Sequence, residues 1–109
     1  MARQREVVDA FLAAARAGDF DALVSVLDPD VVFRLDVAPS GRRAVHGADA
    51  VANTVLAGGS RFAPYARPAI VNGMAGVIVD TPEGRHNVVG FNVVDGRIRS
   101  IDVISVSVR

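Results

Sequence analysis

Turn chemistry in the second half constrains this chain more than any other feature. From Ala66 to Ile104 the sequence reads ARPAIVNGMAGVIVDTPEGRHNVVGFNVVDGRIRSIDVI. Asn72-Gly73, Pro82-Glu83-Gly84 and Asp95-Gly96 divide it into four β-branched runs. Asn-Gly and Asp-Gly supply the backbone positions with φ > 0 that tight hairpin turns require. The spacing predicts a four-stranded antiparallel meander. It follows a helical first half, which is an α+β plan.

In that first half, Val7, Val8, Phe11, Leu12, Ala14 and Ala15 recur at helical spacing between Arg3 and Ala17. Gly18 suits the end of this helix and Asp19 the N-cap of a second. Phe20, Leu23, Val24 and Leu27 form the apolar side of that second helix. Asp28-Pro29-Asp30 ends it, because a residue before proline disfavours the α region. Val31 to Asp36 alternates as a strand, with Val31, Phe33 and Leu35 on one face and Val32, Arg34 and Asp36 on the other. A short strand is expected near Arg43. A third helix runs from Gly47 or Ala48 to Ala57 and stops at Gly58-Gly59. The expected architecture is a cone-shaped, curved, mixed or antiparallel sheet wrapped around about three helices, with a pocket at the open end. Gly73, Gly76, Gly84, Gly90 and Gly96 supply the turns and bends that such curvature needs.

A chain of 109 residues is expected to form one domain. Half its residues are apolar, which argues against disorder. The 12 basic and 12 acidic groups cancel, so there is no electrostatic case for direct binding of nucleic acid or an anionic membrane. All the basic residues are arginine. The absence of cysteine removes disulfides, thiolate metal sites and a cysteine nucleophile, and fits the cytoplasm. No apolar run approaches the ~18 residues of a membrane span. His46 and His86 lie 40 positions apart and form no metal motif. No cofactor is expected: the chain has neither a phosphate-binding glycine loop nor a Gly-x-Ser-x-Gly elbow.

The segments VVDAFLAAARAGDFDALVSVLDPDVVFRLD and GADAVANTVL resemble the opening of the SnoaL-like branch of the nuclear transport factor 2-like superfamily. ARPAIVNGMAGVIV followed by VVGFNVVDGRIRSIDVI is similar to a narrower subgroup, the C-terminal SnoaL-like domain fused to certain extracytoplasmic-function sigma factors. The similarity runs from about Val7 to Ile104. It implies the cone fold and a non-enzymatic regulatory or ligand-sensing role in transcription initiation. The implied partners are sigma-factor domains or RNA polymerase, a small apolar ligand and, for a free-standing protein, a second copy of the chain. Two departures bear on this. Many such domains carry Asp-Gly-Gly-Gly-Lys after the first strand, whereas Asp36 is followed here by Val37-Ala38-Pro39-Ser40-Gly41-Arg42. An Asp/Asn-Pro motif usually follows the last strand, whereas this sequence continues Ile104-Ser105-Val106-Ser107-Val108-Arg109. The chain is accordingly expected to be either an excised domain or a free-standing relative.

Enzymes of the same superfamily define the alternative, a cofactor-free isomerase, polyketide cyclase or epoxide hydrolase. Asp102 is its first candidate. Strand alternation groups it with Ile98, Ser100 and Ile104 on a pocket wall, where an acid can act as a general base. The competing reading is a carboxylate held by loop amides or by an arginine. Arg34 and Asp36 could join Asp102 in a water-activating set, or form a surface ion pair. Asn53, Tyr65 and Asn92, with Phe62 and Met74, are the candidate ligand-pocket residues. Asn92 lies within an apolar strand, so a buried amide there needs a ligand or a core partner. Ile101 and Val103, opposite Asp102, would suit a dimer face.

Overall fold

The computed structural model describes residues 2–37, 41–58, 65–71, 73–80 and 85–107. Its elements are α1 (Ala2–Ala17), α2 (Phe20–Val26), β1 (Leu27–Val37), β2 (Gly41–His46), α3 (Ala48–Gly58), β3 (Ala66–Val71), β4 (Met74–Asp80), β5 (Arg85–Val94) and β6 (Arg97–Ser107). The strands form one curved, unclosed sheet in the order β2-β1-β6-β5-β4-β3. β1 and β6 pair in parallel at its centre, and every other neighbour is antiparallel. The expected α+β architecture is present, with three helices and the four-strand meander.

Local chemistry explains the element ends. Gly18 adopts φ 67° after α1, and its N–H donates to Ala15 O. Asp19 then caps α2, its side chain accepting from Ala22 N–H at 3.1 Å. β1 begins at Leu27, earlier than the alternation from Val31 predicts. Asp28 Oδ1 accepts from Asp30 N–H, forming a local turn around Pro29, and the register against β6 shifts between Leu27 and Val32. The β5–β6 hairpin turns at Asp95 (φ 53°) and Gly96 (φ 77°), the paired left-handed residues of a type I′ turn. Gly73 adopts φ 78° at the β3–β4 turn. Pro82-Glu83-Gly84 and Asn72 lie outside the described residues.

The helices cover one face of the sheet. α1 lies against β4, β5 and β6, and α3 against β1 and β2. Leu23, Leu27, Val31, Ile98 and Ile101 are fully or almost fully buried between these layers. Full burial of such a side chain contributes roughly 1.5–3 kcal/mol. Phe11 of α1 meets Phe91 of β5 edge to face, with ring centroids 5.3 Å apart. Among the described residues no polar or charged side chain is buried in this core.

A β-bulge decides which face each residue of β6 occupies. Asn92 pairs with Ser100 and the next residue, Val93, pairs with Ile98, leaving Arg99 as the extra residue. Ile98 therefore turns toward the helices together with Ile101, while Ser100, Asp102 and Ile104 turn away. This corrects the alternation-based grouping of Ile98 with Asp102. It also moves Ile101 and Val103 from a candidate dimer surface to the core side, where Ile101 is inaccessible and Val103 packs against the cluster.

Arg5 ties α1 to the far end of the sheet. Its guanidinium donates to Gly76 O at 3.1 Å and Ala69 O at 2.8 Å. Ala69 and Gly76 are cross-strand partners, so a single side chain bridges both strands of the β3–β4 hairpin. Arg5→Met is expected to destabilise the protein by about 1–3 kcal/mol, because hydrogen bonds from a charged donor carry this weight. Arg5→Lys should recover only part, lacking the fork geometry. Urea unfolding measures both.

Two glycines face each other on the uncovered side and differ in what they tolerate. A Cβ at Gly76 would lie 2.6 Å from Val89 O and 2.7 Å from Val71 Cγ2. The first neighbour is backbone and cannot yield. A Cβ at Gly90 would meet Val71 Cγ1 at 3.5 Å, an ordinary contact. Gly76→Ala is expected to cost about 1–3 kcal/mol through overpacking. Gly90→Ala should stay within about 1 kcal/mol of the parent or exceed it, since it also restrains the unfolded chain. Thermal unfolding of the pair checks the contrast.

Candidate functional site

Cross-strand register builds the site on the open face of the sheet. Arg34 of β1 pairs with Asp102 of β6, Asp102 with Gly90 of β5, and Gly90 with Gly76 of β4. Counting outward on either side, this row is Ala44, Arg34, Asp102, Gly90, Gly76, Ala69. From Gly90 onward it has almost no side chain. One neighbouring row presents Asn92 and Met74, the other Asp36, Ile104 and Val88. The result is a groove of about 670 Å³, walled by these rows and reached by Val71 from the β3–β4 hairpin.

The groove collects five of the candidate residues: Arg34, Asp36, Asp102, Asn92 and Met74. It lies on the face opposite the helices, not inside a cone between helices and sheet. Arg34 Nη1 donates to Asp102 Oδ1 at 3.0 Å, with the two side chains 57% and 47% exposed. Arg42 Nε stands 3.5 Å from Asp36 Oδ2. Pairs this open to solvent are worth ~0–1 kcal/mol each. Asn92 is exposed at the groove edge, not buried, because it alternates with core-facing Phe91 along β5 and pairs with Ser100 on the open face. Asn53 lies exposed on α3, and Tyr65 is 46% exposed just before β3; neither lines the groove. Phe62 lies outside the described residues.

A second polar cluster sits where β3, β4 and β5 meet on the same face. Asp80 receives Arg67 Nε on Oδ2 at 2.9 Å, and His86 Nδ1 hydrogen-bonds its Oδ1. Asp80 and His86 are register partners between β4 and β5. The turn expected from the sequence at Pro82-Glu83-Gly84 would pair them in a hairpin folded symmetrically about it, so this signal was in the sequence. The Arg67 hydrogen bond, followed by that of His86, holds the Asp80 carboxyl below the usual aspartate range. A carboxylate whose folded pKa is depressed stabilises above its unfolded pKa and loses that contribution as pH falls through the folded value. Asp80→Asn should therefore lower the unfolding midpoint near neutral pH. The difference from the parent should vanish on acidification, as urea midpoints across a pH series would show. Among the described residues no group of three or more His, Cys, Asp and Glu side chains is placed to hold a metal ion. No helix among them is long and apolar enough to cross a membrane.

Three helices on one face of a six-stranded curved sheet, with this strand order, make the fold nuclear transport factor 2-like. Solved structures agree. An NTF2-like protein from Burkholderia xenovorans LB400 superposes with a TM-score of 0.72 at 18% identity, over 98% of this chain and 92% of that one. No protein-family model matches the chain. The chain is 38% identical over 105 residues to the ECF RNA polymerase sigma factor SigJ of Mycobacterium tuberculosis, covering 90% of this chain and 33% of SigJ. The crystal structure of SigJ superposes with a TM-score of 0.79 at 32% identity, over 95% of this chain and 42% of that one. The chain thus has a SnoaL-like, nuclear transport factor 2-like fold and is related to SigJ. It spans about a third of the length of that relative.

Proposed function

We propose that the chain is a single-domain regulatory module of the kind joined to extracytoplasmic-function sigma factors, and that it modulates transcription initiation in the cytoplasm. It acts by contacting sigma-factor domains, and through them RNA polymerase, without catalysing a reaction. The observation that carries this reading is the relationship to SigJ across 90% of the chain. The site supports it as well. Desolvation among apolar groups strengthens a carboxylate as a general base. Asp102 and Asp36 are instead about half exposed, and each is engaged by an arginine. The helix side of the sheet, where a cone pocket would open, is packed with apolar side chains.

The test is a calorimetric titration of the purified chain with the part of SigJ that it does not match. Saturable binding with a Kd in the micromolar range or below, about −8 kcal/mol or stronger, is the expected result. No binding, together with turnover of an epoxide or enone substrate that Asp102→Asn abolishes, would replace this reading with the enzymatic one.

A further inference from the structure

We infer that the sigma-factor region docks on the open face of the sheet, inserting an apolar side chain into the hollow above Gly90. This inference rests on the regulatory reading and assigns it a surface. Glycine within a strand weakens the strand and marks places where another group approaches closely. Gly76 has an internal reason to be glycine, since Val71 and the Val89 carbonyl occupy its side-chain position. Gly90 has none: the fold leaves room for a Cβ there. The missing side chain instead keeps open the floor of the groove, directly beside Asp102.

The walls fit an apolar anchor. Ile104 is 50% exposed and Met74 37%, on opposite sides of the hollow. Methionine is a side chain that repacks readily around a partner. Charge narrows the choice of occupant. On this face Arg34 is joined to Asp102, Arg42 to Asp36, and Arg67 to Asp80. These three arginines are each offset by a carboxylate, and Arg43 alone adds a positive charge at the groove, which is a weak field for a polyanion such as nucleic acid or for an anionic membrane. A protein segment with an apolar centre and a polar rim is the complementary partner. In SigJ, about two thirds of the polypeptide lies outside the part this chain matches, so a segment of it is tethered to the matching part at high effective concentration.

Three variants test the surface against the unmatched part of SigJ: Gly90→Val, which fills the hollow; Ile104→Glu, which charges its wall; and Asn53→Arg, a control on exposed α3. Thermal unfolding and circular dichroism establish that each is folded, and Ile104→Glu carries the test if Gly90→Val is not. The expected result is at least about tenfold weaker binding for Gly90→Val and Ile104→Glu, the loss typical of a central contact, with Asn53→Arg unchanged. If the parent binds and both groove variants bind equally well, the surface assignment is overturned while the regulatory reading stands. If the parent does not bind, both fall. If the groove variants instead abolish self-association seen by sedimentation and leave SigJ binding intact, the occupant is a second copy of the chain and the assignment is likewise overturned.

Discussion

One unpaired residue, Arg99, sets the arrangement of this domain. β6 lies at the centre of the sheet, parallel to β1 and antiparallel to β5. Side chains alternate along a strand with a period of two, so a single extra residue exchanges the faces of everything beyond it. With the bulge in place, Ile98 and Ile101 both reach the helices despite being three positions apart. Without it, one of them would be stranded on the open face, and the core would lose a fully buried aliphatic side chain.

The same bulge distributes the chemistry. It places Ser100, Asp102 and Ile104 on the uncovered face, in register with Asn92, Gly90 and Val88. Arg34 and Asp36 reach that face from β1 by plain alternation. The two sides of one sheet therefore do different work. The helix side is closed and apolar, and holds the fold together. The other side carries paired charges, a hollow at Gly90 and two exposed hydrophobic residues, Met74 and Ile104. Arg5 connects the sides indirectly, hydrogen-bonding α1 to both strands of the β3–β4 hairpin whose Val71 bounds the hollow.

Much of the fold could be read from the sequence because its signals are local. Asp95-Gly96 and Gly73 mark hairpins through their own backbone preferences, and Gly18-Asp19 marks a helix end followed by a helix start. The site was legible in membership but not in position. Arg34, Asp36, Asp102, Asn92 and Met74 do meet, yet on the uncovered face of the sheet and not in a cone between sheet and helices. A bulge has no distinctive sequence here, since Arg99 resembles any exposed strand residue. The Arg5 bridge and the reach of Arg67 to Asp80 depend on contacts between elements, which periodicity does not report. The difference between Gly76 and Gly90 is likewise invisible in a sequence, because it lies in what surrounds each Cα.

One face of the sheet is sealed by the helices, and the other is the surface proposed to meet the sigma-factor region. Methyl-resolved NMR of the chain, titrated with the unmatched region of SigJ, tests it most directly. Shift changes are expected at the methyls of Met74, Ile104 and Val88, with Ile98, Ile101 and Leu23 unmoved. Changes centred on the core methyls or on α3, with Met74 and Ile104 silent, would contradict this assignment.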